Sequence, residues 1–474
     1  MTLLIRGAPG TGKTTLALGL LDSFPGRRVY VTGRVTRDHL GRSFPWLAYQ
    51  ERWEVIDLAE HPSSMGEARR MLDAATSLVA EPRSEELLQG LWLPGPLQEA
   101  WSRIGPDEEA LLVVDPWNSL VAQYLVGAHD ANDASADELQ RILVNLVEAS
   151  RIHLVLVMEG EEPTPLDYLV DGVVVAQLEE RGGRVSRWLR LPKLRGVRVE
   201  NPVYPFTLDG ARFQSASPFT TGTQVLLSPP EEEKVADAGS LWPGSRSFAN
   251  AFGRLPLGGL TLIELDPAVP REVHHLLLAP VIGQVLKLGG RVLLIPPPTL
   301  DPEDSFVGLR GLIDEERLER QFRILASFPN DTLSSSLKGV YIPPSRVTWT
   351  NDGIAVPLPD DPVFRLERTP GAPNLLVAYF SGLSALARNA GESLTREMLP
   401  ATTQTVFGNS RAHMIGLGRV GDPYLPEVSA IASLHLRIES RHGRVIVYGE
   451  RPHTPGFVLT SAEPPLPYHL TRLA

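Results

Sequence analysis

The chain has 474 residues, of which 43% are apolar and 21% are charged, and its formal net charge is −11. These values are typical of a globular protein with several domains and exclude a wholly disordered chain. The acidic balance argues against bulk electrostatic binding of DNA or anionic membranes, and the absence of cysteine excludes disulfides, thiol catalysis and cysteine-ligated metals.

The first predicted element is a short apolar strand, Thr2 to Gly7, followed by a glycine-rich turn and a helix from Thr14 to Leu21. The opening residues lack the basic region and apolar core of a signal peptide. No run of about 18 apolar residues occurs along the chain. We therefore expect a cytoplasmic protein without a membrane partner.

Further apolar strands alternate with helical segments through the first 200 or so residues, which predicts an α/β domain with a mainly parallel sheet. We expect mostly helical structure over residues 64–105 and a helix from Ala136 to Ser150. A hairpin is expected to turn at Gly182–Gly183. The predicted strands are Arg28 to Thr32, Glu54 to Leu58, Ala110 to Asp115 and His153 to Met158.

A composition change marks the middle of the chain. The segment SPPEEEKVADAG, which begins at Ser228, is rich in proline and acidic residues and has no apolar period. We therefore predict a first domain over residues 1–227, a linker over 228–246 and a second domain over 247–474.

The second half of the sequence repeats landmarks of the first in the same order. LTLIELDPAVPREV aligns with TLLIRGAPGTGKTTL, which places Arg271 on Lys13, and RIESRHGRV aligns with QLEERGGRV. NLLVAYF stands where ALLVVD is expected, and AHMIGLG where HLVLVM is expected. Chance similarity between apolar strands is the alternative, but the shared order favours a tandem duplication of one α/β unit.

A phosphate-binding loop lies between the first strand and the first helix. The sequence GAPGTGKT matches G-x-x-x-x-G-K-[ST], in which glycines let backbone N–H groups turn toward an anion. Lys13 would reach the β- and γ-phosphates of ATP, and the Thr14 hydroxyl would contact Mg²⁺. The predicted nucleotide-binding residues are Gly7, Ala8, Pro9, Gly10, Thr11, Gly12, Lys13, Thr14 and Thr15.

An acidic residue ends the apolar strand ALLVVD. At this place Asp115 is predicted to hold the Mg²⁺ together with Thr14, directly or through water. Asn118 and Ser119 follow closely and are candidates for sensing the γ-phosphate, with helix capping as the alternative.

The end of the first predicted domain carries the most specific pattern. A strand and hairpin lead into a K-x-R-G sequence in VDGVVVAQLEERGGRVSRWLRLPKLRG, and PFTLDGARF follows. With the phosphate loop, this pattern resembles KaiC-like ATPases of the RecA superfamily. The segment VYVTGRVTRDHLGRSFPWL also resembles archaeal KaiC-like proteins grouped with the gas-vesicle regulator GvpD. The resemblance covers residues 1 to about 220 well and the remainder only as a weak repeat.

The resemblance implies two tandem RecA-like domains with mainly parallel sheets, the second a degenerate copy. It also implies that ATP lies between neighbouring subunits of a ring, so that the chain forms a homo-oligomer through the ATP interface. Lys193 and Arg195 would then act on the γ-phosphate of the adjacent subunit, while a basic solvated strand is the alternative. Lys193 is one of only five lysines, whereas arginine supplies the other basic side chains, which slightly favours a chosen role.

Two departures from the family pattern bear on activity. Gly33-Arg34 stands where KaiC-like ATPases carry a glutamate pair that polarises the attacking water, which predicts slow or absent hydrolysis. In the second copy the loop from Leu265 to Glu272 has lost its glycines and its Lys-Thr pair, and Tyr379 and Phe380 stand where an Asp is needed. We expect a second domain that binds no nucleotide.

Three functions fit these observations to different degrees. The leading hypothesis is an ATP-dependent regulatory protein whose nucleotide state controls a protein partner on the second domain. The alternative is an active RecA-like motor or recombinase-related protein that acts on DNA, against which the acidic charge counts. A purely structural protein is disfavoured, because one loop kept its chemistry while the other lost it.

Overall fold

The computed structural model of the chain shows two compact units, Met1–Ala216 and Ser217–Arg472. The structure describes residues 1–49, 53–61, 93–104, 108–125, 140, 143–144, 147, 150–216, 219, 230–231, 239–299, 309, 313–325, 340–342, 348–350, 353–356, 364–365, 372–390, 403, 411–461 and 468–473. The greater part of the helices predicted over 64–105 and 136–150, and of the linker predicted over 228–246, lies outside these residues. The predicted domain boundaries therefore stay a prediction.

The described strands of the first unit form one sheet in the order β3-β2-β4-β5-β1-β6-β7-β8-β9. The six strands from β3 to β6 run parallel, and β7, β8 and β9 continue the sheet in antiparallel pairs. The strands are β1 (Thr2–Gly7), β2 (Arg27–Thr32), β3 (Trp53–Asp57), β4 (Ala110–Asp115), β5 (Ile152–Glu159), β6 (Gly172–Arg181), β7 (Arg184–Leu194), β8 (Val203–Thr207) and β9 (Gln214–Ser215).

Helices cover both faces of this sheet, which is why its central strands are mostly apolar, with Arg6 of β1 buried in an ion pair with Asp167. In β1, Leu4 belongs to one hydrophobic cluster and its neighbour Ile5 to another, and both are fully buried. The described helices are α1 (Lys13–Ser23), α2 (Arg37–Ser43), α3 (Gly95–Ser102), α4 (Trp117–Leu125) and α5 (Leu166–Leu169). Short 3-10 turns cover Pro45–Tyr49, Leu58–Glu60 and Asp209–Ala211.

The main described sheet of the second unit has the order β15-β14-β13-β19-β20-β12-β21-β22-β23-β24. Its strands are β12 (Gly259–Leu265), β13 (Val292–Ile295), β14 (Phe322–Leu325), β15 (Tyr341–Ile342), β19 (Asn374–Tyr379), β20 (Ala412–Arg419), β21 (Leu434–Arg441), β22 (Arg444–Arg451), β23 (Phe457–Ser461) and β24 (Tyr468–Arg472). Two small sheets contain β10 (Ser240–Leu241) and β11 (Leu255–Pro256), and β16 (Thr348–Thr350), β17 (Gly353–Val356) and β18 (Phe364–Arg365). The described helices are α6 (Arg246–Phe252), α7 (Arg271–Lys287), α8 (Glu315–Gln321), α9 (Phe380–Ala390) and α10 (Leu425–Ile431).

The two main sheets share one strand order. In chain order, the strands that match β1 to β6 are β12, β13, β14, β19, β20 and β21. In both sheets these six strands lie side by side in the order third, second, fourth, fifth, first and sixth. In both units an antiparallel hairpin follows the sixth strand. All four landmarks of the sequence repeat fall on matched strands, and the α/β class with mainly parallel sheets is confirmed.

Within the described part of the chain, no helix combines the length and apolar character needed to cross a membrane.

Candidate functional site

In the loop between β1 and α1, several backbone N–H groups have no hydrogen-bond acceptor among the described residues. Gly10 and Gly12 have φ angles of 79° and 98°, in the left-handed region that glycine adopts without strain. At Gly12 a side chain would also meet Leu208, whose Cδ1 would lie 2.9 Å from an added Cβ. The backbone N–H groups of Gly10, Gly12, Lys13 and Thr14 donate to no atom of the described residues. Donors arranged in this way at the start of a helix form an anion-binding nest.

Lys13 begins α1 and folds back over the loop. Its Nζ donates to the carbonyl oxygens of Gly7 at 2.9 Å and Ala8 at 2.8 Å. The side chain is only 7% exposed, and burial lowers its pKa, although Glu159 and Asp115 oppose that shift. Lys13 is thus a buried cation held beside the free loop amides.

Asp115 and Thr14 meet although 101 residues separate them in sequence. The Thr14 hydroxyl donates to Asp115 Oδ2 at 2.7 Å, because β4 ends beside the first turn of α1. Tyr30, which is buried in β2, donates its hydroxyl to the same oxygen at 2.7 Å. Burial raises the pKa of Asp115, and these two hydrogen bonds together with Lys13 oppose the rise. Tyr30 was not among the site residues predicted from the sequence.

An ion pair lies at the same edge of the sheet. Both guanidinium NH2 groups of Arg34 donate to the two carboxylate oxygens of Glu159, with one bond at 2.7 Å. Arg34 follows β2 and Glu159 ends β5, so the pair spans the end of β4. Glu159 has the largest attractive electrostatic effect on Lys13. The structure therefore places a carboxylate near the loop, but on β5 rather than after β2 and paired with a cation.

The two residues after Asp115 that were proposed as phosphate sensors have different neighbours. The Asn118 side chain accepts the backbone N–H of Glu159 at 3.1 Å, so it positions that carboxylate. Ser119 lies in α4, where its backbone N–H donates to the Pro116 carbonyl at 3.2 Å. Its Cβ would be 3.0 Å from a Cβ added at Gly33, so the loop after β2 packs closely on this helix.

Lys193 and Arg195 do not join this group of residues. Lys193 Nζ donates to the carbonyls of Asp167 at 2.8 Å and Tyr168 at 3.1 Å, and Arg195 also donates to Tyr168 O, at 3.0 Å. The backbone N–H of Arg195 bonds to Asp171, which also accepts the Thr2 amide at the start of β1. That level of the sheet is on the order of 15 Å from the loop that follows β1. A contact with the phosphate loop of their own unit is therefore excluded, and a role toward another subunit stays a prediction.

In the second unit, the backbone N–H groups of the loop after β12 already form hydrogen bonds within the unit. Asp266 N–H donates to Ile438 O, while the amides of Ala268 and Val269 donate to the side chain and carbonyl of Asp266. Pro267 and Pro270 have no N–H. No amide from residues 266–270, all of them described, remains for a phosphate.

The strand that matches β4 ends in aromatic packing rather than in a carboxylate. Tyr379 is buried, which raises the pKa of its hydroxyl, and the ring of Phe380 packs over Gly416, Gly418 and Tyr424. The second unit therefore keeps the strand order of the first and lacks the groups that would hold ATP and Mg²⁺ there.

Comparisons with known proteins find similarity to GvpD gas vesicle proteins, and the matching family model covers strands β4 and β5 rather than the phosphate loop. The family described as "GvpD gas vesicle protein, P-loop domain" matches residues 99–192, a segment that contains Asp115 and Glu159 and ends one residue before Lys193. Protein GvpD2 of Halobacterium salinarum is 27% identical over 468 residues, which cover 96% of this chain and 89% of that protein. Protein GvpD1 of the same organism is 25% identical over 503 residues, covering 96% of this chain and 90% of that protein.

Proposed function

We propose that this chain, a GvpD-like P-loop protein, binds ATP with Mg²⁺ in its first unit and uses the nucleotide state to regulate a partner in gas vesicle formation. The observation that carries the proposal is the contrast between the two loops. The first offers free amides at Gly10 and Gly12, a buried lysine and a Thr–Asp pair, whereas residues 266–270 of the second offer no free amide and the second loop has neither the lysine nor the Thr–Asp pair. The gas-vesicle role rests on the similarity to GvpD proteins.

The residues of the first loop fit the phosphates of a nucleoside triphosphate. The amides of Gly10, Gly12, Lys13 and Thr14 would hold phosphate oxygens. Lys13 would give up its hydrogen bonds to two neutral carbonyl oxygens and donate to charged phosphate oxygens, which form stronger hydrogen bonds. Thr14 and Asp115 already contact each other, so both would reach one Mg²⁺.

Slow hydrolysis is the expected consequence of the Arg34–Glu159 pair. Each Glu159 oxygen accepts a hydrogen bond from Arg34, which holds the carboxylate in one orientation and leaves only the second lone pair of each oxygen for water. We therefore expect Glu159 to polarise an attacking water poorly while the pair is closed. Such a protein would remain in its ATP-bound state for long periods, which suits a regulator better than a motor.

The second unit would serve as a platform rather than as a second ATPase. Its loop amides are satisfied internally, and no carboxylate follows β19. A nucleotide switch works only if ATP binds two conformations of the protein with different affinity. We propose that a protein partner reads that difference on the second unit.

Calorimetric titration of the full chain with ATP and Mg²⁺ tests the proposal. We expect one ATP per chain and loss of binding in Lys13→Ala, while Lys287→Ala, a matched removal of an exposed lysine at the end of α7, leaves binding unchanged. Two sites per chain would contradict the assignment of the second unit. An ATP turnover that DNA stimulates strongly would favour the alternative of a DNA-directed motor.

A further inference from the structure

The second unit has a cavity of about 400 Å³ at the edge of its sheet that corresponds to the ATP edge of the first unit. The ends of β12, β19 and β20 and the start of α7 form its walls. The cavity is thus built by the elements that form the nucleotide site of the first unit, but its lining has changed. The polar lining includes Arg271, His274, His275, Ser381, Arg419 and Asp422.

Positive charge predominates among these groups. Arg271 at the start of α7 and Arg419 at the end of β20 face the cavity from two elements, and neither forms an ion pair with any described residue. Burial, followed by repulsion from His275, Arg419 and Arg271, lowers the pKa of His274 to about 4. The cavity therefore contains two free guanidinium groups directed at a partly apolar space.

One acidic side chain opposes this charge. Asp422 accepts the Tyr424 amide at 3.1 Å, and burial raises the pKa of its carboxyl group. It leaves the cavity with a net positive charge and supplies an acceptor for a ligand hydroxyl. Leu265, Leu417 and Val420 provide apolar walls for a carbon skeleton.

We infer that this cavity binds a small organic anion with at least two negative charges, held by the side chains of Arg271 and Arg419. A phosphate ester and a polycarboxylate share this chemistry, because the planar guanidinium group forms bidentate pairs with either. The volume lies within the range of about 300–1,000 Å³ found for small-molecule sites. The side chains would replace the backbone nest, since the amides of residues 266–270 are already bonded. This site is independent of ATP binding in the first unit.

Calorimetric titration of the full chain carrying Lys13→Ala, which removes the phosphate-loop lysine, tests the inference. Glycerol 3-phosphate and citrate are the two probes, and saturable binding of one or both is expected. A further Arg419→Gln or Arg271→Gln substitution should weaken binding roughly tenfold or more, because each removes a guanidinium group that would pair with the anion through two hydrogen bonds. The matched control is Arg320→Gln, which removes an exposed arginine of the same unit outside the cavity.

The outcomes separate the two ligand classes and the alternatives. Binding of glycerol 3-phosphate alone identifies a phosphate site, and binding of citrate alone identifies a carboxylate site. Absence of saturable binding with both probes overturns the inference. Binding that survives both arginine substitutions also overturns it. Both arginines are exposed, so equal thermal midpoints for parent and variants should show that folding is preserved.

Discussion

In the first unit, Tyr30 helps to position Asp115, the carboxylate that we propose holds Mg²⁺. Its hydroxyl donates to the same Asp115 oxygen as Thr14, and its ring lies 2% exposed in the core. Tyr30→Phe removes one of two hydrogen bonds to a buried charged group, at a cost of about 1–2 kcal/mol. The pKa of Asp115, already raised by burial, should rise further. We therefore expect the affinity for ATP in the presence of Mg²⁺ to fall roughly tenfold.

The dependence on Mg²⁺ separates this effect from general loss of structure. Titrations with ATP in Mg²⁺ and in excess EDTA should differ less for Tyr30→Phe than for the parent, because the substitution acts through the metal. Tyr168→Phe is the matched control, since that tyrosine is 77% exposed. An equal loss of affinity in both buffers would contradict the role given to Tyr30.

The Arg34–Glu159 pair allows a direct test of why hydrolysis is slow. Arg34→Gln frees the Glu159 carboxylate and should raise ATP turnover a few-fold, whereas Glu159→Gln should lower it by roughly 100-fold if that carboxylate polarises the attacking water. Because the Arg34 side chain is 54% exposed, added salt should raise the parent rate as well. Steady-state phosphate release measures all three rates.

Two results would contradict this account. Turnover by Glu159→Gln equal to that of the parent would show that another group acts on the water. A decrease in Arg34→Gln would show that Arg34 assists the reaction instead of restraining Glu159. Introducing glutamate at Gly33 is not an informative alternative, because a Cβ there would lie 2.8 Å from Leu58 Cδ1.

The site residues that belong to one continuous motif are predictable from the sequence, whereas most of those that come from separate strands are not. Gly7 to Thr15 are adjacent, and their spacing alone predicts a phosphate loop. Asp115 was recognisable because it ends an apolar strand. Tyr30 and Glu159 also occupy strands, but nothing local distinguishes them, since their roles arise when β2, β4 and β5 align. The strand-ending position of Glu159 is the one signal that was available.

At the scale of elements, strand ends decide the chemistry while strand interiors decide the fold. The interiors of β1 and β12 are both buried and apolar, and each lies between its fifth and sixth strand equivalents. The residues that follow them differ completely, with free amides after β1 and bonded amides after β12. The same strand order can therefore carry a loop with free amides in one unit and a cavity lined by arginines in the other.

A buried histidine of β20, on the side of the strand that pairs with β12, should make the second unit sensitive to acid. His413 is fully buried, with Nδ1 2.7 Å from Pro256 O and Nε2 3.0 Å from Thr261 Oγ1, and burial lowers its pKa to about 4. In the unfolded chain a histidine has a pKa near 6.5. Between about pH 6.5 and pH 4, His413 is therefore protonated in the unfolded state and neutral in the native state. The free energy of unfolding should fall by about 3 kcal/mol across that window.

His413→Gln should reduce this acid sensitivity while keeping a donor and an acceptor in place. Urea unfolding of the full chain, monitored by circular dichroism at pH 7 and at pH 4.5, measures the difference in the free energy of unfolding between the two conditions. His469→Gln changes an exposed histidine of β24 and serves as the control. A pH dependence of unfolding that is the same in His413→Gln and the parent would contradict the assignment.

For the whole molecule, the sequence predicted the class and the repeat because both depend on strand composition. Apolar runs such as ALLVVD and NLLVAYF identify buried parallel strands wherever they occur. The order of strands in each sheet did not follow from those runs, because pairing depends on contacts between segments far apart in sequence. The arginine-lined cavity of the second unit was equally hidden, since Arg271 and Arg419 are 148 residues apart in sequence and line one cavity only in the folded sheet.

The repeat also bears on Lys193 and Arg195. In the second unit, Arg451 at the end of β22 donates to the carbonyls of Ser429 and Ala430 in α10. In the first unit, Lys193 and Arg195 donate in the same way to carbonyls of α5. Cations at a helix C-terminus are stabilising in either setting. A role of this pair toward a neighbouring subunit must therefore be distinguished from helix capping.

A mixing experiment makes that distinction. Lys193→Ala keeps its phosphate loop and loses the predicted contribution to a neighbour, whereas Lys13→Ala loses its loop and keeps Lys193. If neighbouring subunits complete the ATP site, each variant alone should turn over ATP well below the parent rate, and an equal mixture should recover part of it on loops of the Lys193→Ala chains. Arg198→Ala, an exposed basic residue of the same segment, should behave as the parent. If Lys193 only caps α5, the mixture should show no recovery, and light scattering should find the parent monomeric at saturating ATP.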